Sequence, residues 1–241
     1  MFIYVRSIVF NTLFYLNTLF WMLVGLPTFL LPYRGIIAIA KMWGRSNLVL
    51  LRVVAGIDYD FRGLEKVPPG AAIIAAKHQS AWETFALLTC FDNPAFILKR
   101  ELQWIPIFGW FTIKGRMVPV DRRKGTQAIP AMIERARIEL ARGRQLLIFP
   151  EGTRRPAGAE PRYRYGVALI YGASDVPCVP VALNSGLFWP RRSLRMRPGK
   201  VLVEILDTIP AGLQRDEFFK LLQERIEPAT ARLIAEAERG A

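Results

Sequence analysis

A single histidine, His78, occurs among the 241 residues, and Glu83 stands five positions after it. An imidazole can take a proton from a hydroxyl, and a neighbouring carboxylate can hold its tautomer and stabilise the imidazolium, so the pair suits general-base chemistry. In a regular helix that spacing turns two side chains about 140° apart. They can meet only if His78 lies in a turn ahead of the helix, and Ser80, a favoured N-cap residue, predicts such a turn. Ser80-Ala81-Trp82-Glu83 is also the capping-box pattern S-x-x-E, in which the glutamate bonds back to the helix start and contributes about 1 kcal/mol. The spacing alone leaves a structural and a chemical reading of this carboxylate both open.

A second cluster lies in "LLIFPEGTRR", residues 146–155, where an apolar run enters Pro150, Glu151, Gly152, Thr153 and Arg154. Gly152 permits a tight turn and close backbone approach, while Thr153 and Arg154 offer a hydroxyl and a planar fork of donors suited to phosphate. Arg122 follows another apolar run in "GRMVPVDRR", residues 115–123. A glutamate cannot attract a phosphate, so Glu151 is expected to orient Arg122, Arg154 or a backbone donor. Cys90, flanked by Leu87, Leu88 and Phe91, reads as a small buried hydrophobe rather than a nucleophile. With one histidine and two distant cysteines, Cys90 and Cys178, there is neither metal-ligand spacing nor a disulfide framework, and neither a metal nor a redox cofactor is expected.

These groups need a scaffold that brings strand ends together. From Ala71 onward short apolar runs alternate with helical patterns: "AAIIAA", a helix from Ala81, "AFIL", "MVPV", a helix near "AIPAMIERARIELARG", and "QLLIF". "VPCVPVAL" and "VLVEIL" add two strands, and residues 216–239 read as an amphipathic helix broken near Pro228. This rhythm predicts an α/β fold with a mostly parallel sheet flanked by helices, whose ligands bind at the carboxyl ends of the strands.

Ahead of this domain, residues 7–33 carry no formal charge, which is length enough to cross a hydrocarbon core. Asn11, Asn17 and Pro27 favour a break or a shallow hairpin over one simple span, and "SNLVLLRVVAGI", residues 46–57, reads as an interfacial or packed helix. Trp21, Tyr33 and Trp43 are candidates for the membrane interface. The division expected is a membrane-associated helical segment, 1–57, and a catalytic domain, 58–241. Lys41, Arg45 and Arg52 follow the apolar stretch while only Arg6 precedes it, which places the domain on the cytoplasmic face of the membrane. A net charge of +13 implies an anionic partner. No nucleic-acid module is recognisable, so nucleic acid is not the partner expected.

Taken in order, these motifs resemble those of the membrane glycerolipid acyltransferases, in particular the lysophosphatidate acyltransferases. The family pattern H-x-x-x-x-D reads His78 with Glu83, the arginine block reads "GRMVPVDR" with Arg122, "FPEGTRR" supplies Glu151 to Arg154, and "VPV" stands at Val179–Val181. Glu83 departs from the pattern, which more often has Asp there. The resemblance implies transfer of a fatty acyl group from acyl-CoA or acyl carrier protein to the sn-2 hydroxyl of 1-acylglycerol 3-phosphate, making phosphatidate. His78 and Glu83 would be catalytic, and Arg122, Glu151, Gly152, Thr153 and Arg154 would bind substrate. The partners implied are a membrane lipid acceptor, the acyl carrier and an anionic membrane surface. The alternatives are another lysolipid acceptor, such as a lyso-ornithine lipid, and a non-enzymatic basic membrane-binding protein. The run "RRSLRMRPGK", residues 191–200, reads by default as a solvated loop that could also favour an anionic donor.

Overall fold

In the computed structural model, which describes residues 2–239, residues 2–50 form a helical hairpin, of which the uncharged stretch supplies most of the first helix and the turn. Helix α1 (Phe2–Gly25) gives way at Pro27 to a short 3-10 turn, Leu26–Leu30, and α2 (Tyr33–Leu50) returns along it. Polar side chains zip the two together. Asn17 Nδ2 donates to Ser46 Oγ at 2.8 Å and to Asn47 Oδ1 at 3.1 Å, Trp21 Nε1 to Ser46 Oγ at 2.9 Å, and Trp43 Nε1 to Thr18 Oγ1 at 2.9 Å. Left unpaired in hydrocarbon such groups are expensive, which explains why they face one another. Trp21 and Trp43 therefore bridge the helices. The separate helix expected from Ser46 is instead the end of α2, which runs on through a wide turn, Leu51–Ala55, because nothing breaks it before Gly56.

The sheet contains β1 (Ile57–Arg62), β2 (Ala72–Ala76), β3 (Pro94–Lys99), β4 (Val118–Val120), β5 (Gln145–Ile148), β6 (Cys178–Leu183) and β7 (Gly199–Ile205), in the spatial order β1-β7-β6-β2-β5-β3-β4. The strands from β6 to β4 are mutually parallel, so their carboxyl ends share one edge; β7 pairs antiparallel with β6. Helices α3 (Trp82–Cys90), α4 (Phe108–Lys114), α5 (Ile129–Ala141), α6 (Gly166–Tyr171) and α7 (Arg215–Arg239) complete the fold. Alternation along β2 sends Ile74 into one core and Ile73 into the other. The first core is shared with the hairpin, through Phe10, Leu48 and Leu51, and with α3; the second lies under α5, α6 and α7. Gly44 lets α2 approach α3, since a Cβ there would stand 2.8 Å from the Phe85 carbonyl oxygen.

Two departures from the expected elements have simple causes. Helix α7 continues through Pro228 rather than breaking there, because its buried face runs on past the proline to Ala229, Thr230 and Leu233. Helices α4 and α6, seven and six residues long, are too short to show a 3.6-residue period.

Candidate active site

His78 lies in the turn after β2, and Glu83 in the first turn of α3. Glu83 Oε1 meets His78 Nδ1 at 2.9 Å and accepts the main-chain N–H groups of Gln79 and Ser80, both at 2.7 Å. Its other oxygen accepts the Ser185 hydroxyl at 2.7 Å. The glutamate half of the capping box is formed, while Ser80 Oγ accepts from Trp82 N at 3.2 Å. Capping and aiming are therefore one set of bonds: those that start the helix also point the carboxylate at the imidazole. With four donors converging on it, the buried carboxylate acts as acceptor, so Nδ1 carries the hydrogen and Nε2 keeps its lone pair. The ring stacks on Phe149, with centroids 4.0 Å apart and planes 14° apart.

The glutamate of the "PEGTR" turn has a different neighbourhood from either arginine. Glu151 Oε2 accepts the main-chain N–H of His78 at 3.2 Å, and Oε1 accepts from Lys77 Nζ at 3.1 Å. Of the roles expected for it, orienting a backbone donor is the one its contacts match. Lys77 Nζ also bonds Glu227 of α7 at 2.8 Å, and the Tyr163 hydroxyl donates to that carboxylate at 2.7 Å. Burial raises the Glu151 pKa, with Lys77 opposing. Burial pushes the Tyr163 hydroxyl up as well, with Glu227 adding to the effect, so the phenol stays a donor. Gly152 has φ +66°, the left-handed conformation the turn requires, and its N–H closes the turn on Phe149 O at 2.9 Å.

A cavity of about 550 Å³ opens beside His78. Its inner wall is apolar, built by Met22 of α1, Ile36 and Ile39 of α2, Phe96 of β3, and Phe108 and Phe111 of α4. At its mouth stand Arg122, Gly152, Thr153 and Arg154, which joins three separated stretches of sequence around one space; Glu83 and Glu151 lie behind it. Partial desolvation lowers the Arg122 pKa, against the pull of Glu101 and together with the push of Arg164, yet an arginine remains charged. Cys90 stays outside the cavity wall, and burial pushes its thiol up to about 12.

Three residues at or beside the site escaped sequence reasoning. Ser185 is 102 residues from Glu83; its only signal is the polar "NSG" that ends an apolar strand of the same sheet. Lys77 and Glu227 meet across 150 residues, which no local pattern reveals. Arg191 and Arg192, read by default as part of a solvated loop, line the cavity mouth.

A mostly parallel sheet with a histidine–carboxylate pair at its carboxyl edge, over an apolar cavity rimmed by arginines, is a frame for group transfer from an apolar donor. Residues 58–184 match the family model described as Acyltransferase, and the chain belongs to that family. Its relatives include the 1-acyl-sn-glycerol-3-phosphate acyltransferase of Pseudomonas aeruginosa, 34% identical over 237 residues, covering 96% of this chain and 91% of that one. The Homo sapiens 1-acyl-sn-glycerol-3-phosphate acyltransferase alpha is 27% identical over 177 residues, 72% of this chain and 62% of that one. The fold is that of the 1-acyl-sn-glycerophosphate acyltransferase PlsC from Thermotoga maritima, with a TM-score of 0.80 at 23% identity, covering 95% of this chain and 96% of that one.

Proposed function

We propose that the protein transfers a fatty acyl group from a thioester donor to the sn-2 hydroxyl of 1-acylglycerol 3-phosphate, forming phosphatidate. The observation that carries this reading is His78, held by Glu83 with Nε2 free, on a cavity whose interior is apolar and whose mouth is cationic. The relatives from Pseudomonas aeruginosa and Homo sapiens are 1-acyl-sn-glycerol-3-phosphate acyltransferases, which supports the same acceptor.

In this mechanism His78 Nε2 takes the proton of the acceptor hydroxyl as that oxygen attacks the thioester carbonyl. The new C–O ester bond forms, the C–S bond breaks, and the departing sulfur takes the proton back from the imidazolium. Glu83 holds the Nδ1–H tautomer and stabilises the transient positive ring. No acyl-enzyme is needed. Arg122, with the turn at Gly152 to Arg154, holds the acceptor phosphate, while Glu151 fixes the backbone that carries the base. The reaction uses the chain's own residues, with acyl-CoA or acyl carrier protein as the donor and no other cofactor.

The hairpin supplies the lipid contact. Ile3–Leu30 is the one stretch among the described residues long and apolar enough to cross a membrane, and Tyr15, Leu16, Leu23 and Leu30 are exposed along it. The basic residues after it favour a domain on the cytoplasmic face. The test is product identification: purified protein, a labelled acyl donor, and a panel of lysolipids with matched chains. Labelled phosphatidate supports the proposal. Product only from a lyso-ornithine lipid or another head group moves the acceptor assignment, and no product with any acceptor removes the enzymatic reading.

A further inference from the structure

We propose that Arg191 and Arg192 form a second anion subsite at the cavity mouth, which receives the phosphates of the acyl donor's phosphorylated pantetheine carrier. This rests on the acyl-transfer reading above and assigns the half of the substrate pair that Arg122 does not.

Four arginines line the cavity: Arg122, Arg154, Arg191 and Arg192. Among the described residues none of the four has a carboxylate within ion-pair distance, whereas Arg123, next to Arg122 in sequence, and Arg100 both pair with Asp121. Guanidinium groups gathered without counter-charges repel one another until an anion arrives. One phosphomonoester is matched by one or two guanidinium forks. Four exceed what the acceptor phosphate needs, and the reaction has a second anionic substrate.

The arginines also come from different parts of the fold. Arg122 follows β4, while Arg191 and Arg192 lie on the connection from β6 to β7. That connection is pinned at its far end: Met196 is buried with its N–H on Ser7 Oγ at 3.0 Å, and Arg197 N donates to Phe188 O at 2.8 Å. At its near end Arg191 Nη1 donates to Arg154 O at 3.1 Å, which ties it to the phosphate-type turn. Arg192 has φ +57°, a left-handed conformation disfavoured for any residue with a Cβ. Two consecutive arginines are thus held at the mouth, one of them in an unfavourable backbone state.

Geometry then assigns their ligand. The acyl chain suits the apolar interior and the thioester carbonyl must reach the hydroxyl at His78, so the carrier has to leave through the mouth. Both carriers bear a phosphate on the pantetheine arm, and coenzyme A adds those of its nucleotide.

The experiment compares three donors with lysophosphatidate as acceptor: acyl-CoA, acyl carrier protein, and S-acylpantetheine without phosphate. The full chain is assayed as wild type, as Arg191→Ala with Arg192→Ala, and as the corresponding double lysine variant. The alanine pair is expected to lower the ratio of kcat/KM for acyl-CoA to that for S-acylpantetheine about tenfold or more. The lysine pair is expected to recover part of it, and the KM for lysophosphatidate to move less than that for the donor. A fall for acyl-CoA alone assigns the nucleotide phosphates to the pair, and a fall for both carriers assigns the phosphate they share. An unchanged ratio, or an effect that appears in the KM for lysophosphatidate, overturns the subsite. Wild type that makes no phosphatidate from any donor overturns the acyl-transfer reading, and the donor subsite with it.

Discussion

Glu151 and His78 meet through the main chain rather than through the imidazole: the Oε2 atom accepts the His78 N–H at 3.2 Å. The acidic residue of the "PEGTR" turn, from the end of β5, thereby sets the position of a residue at the end of β2. Lys77, next to His78, bonds the other oxygen of the same carboxylate and carries the link on to Glu227 in α7. His78 thus sits on a backbone braced from two sides.

Burial holds the Glu151 pKa above its ordinary value of 4.5. A carboxyl raised in this way keeps its proton in the native state where the unfolded chain has lost it. Its contribution to stability is therefore fully present below about 4.5 and is lost as pH rises through the folded value. Glu151→Gln removes that titration. Urea unfolding across a pH series should show the stability of wild type, relative to the variant, shrinking as pH rises through this window. A relative stability that grows with pH contradicts the burial argument.

Glu83 accepts four donors, and an amide in its place cannot accept them all. Glu83→Gln is expected to lower kcat by about 10² or more while changing KM little. It should also lose about 1–3 kcal/mol of stability from a donor left unpaired in the core. Ser185→Ala removes only the bond to Oε2 and should cost about 1 kcal/mol. Steady-state kinetics with thermal unfolding checks both; a glutamine variant with wild-type kcat rules out the pair.

Arg122→Ala should raise the KM for lysophosphatidate about tenfold to a hundredfold, the loss expected of a charge-assisted fork on phosphate. Arg122→Lys keeps the charge without the fork and should fall between. If both variants instead change only the KM for the acyl donor, the acceptor phosphate lies elsewhere.

Cys90 carries a thiol that burial pushes up to about 12, so almost no thiolate exists near neutral pH. Cys90→Ser is expected to transfer acyl groups at the wild-type rate, and iodoacetamide to leave the enzyme active. Rapid inactivation prevented by the serine variant is the outcome that revives a thiol mechanism.

Much of this was legible in one dimension because the folding units are local. The run "AAIIAA" contains β2, "QLLIF" contains β5, and "VPCVPVAL" contains β6, since a strand buried on both faces reads as near-continuous aliphatics. The turn at Ser80 was enough to bring His78 and Glu83 together. What stayed hidden depends on distance along the chain: Ser185 reaches Glu83 only because β6 lies beside β2, and Lys77 finds Glu227 only because α7 returns under the sheet. For Arg191 and Arg192 the sequence left a solvated loop and a donor contact both open, for another reason. A charged run looks the same in sequence whether it faces bulk water or a cavity.

The most direct measurement is acyl transfer to lysophosphatidate by wild type and by His78→Ala, with the fold of each checked by thermal unfolding. His78 stacks on Phe149 and bonds the buried Glu83 carboxylate, which keeps its three other donors in the variant, so the variant should unfold cooperatively. Its turnover should fall by about 10² to 10⁴, the contribution of a positioned general base. A folded His78→Ala protein that makes phosphatidate at the wild-type rate contradicts the account at its centre.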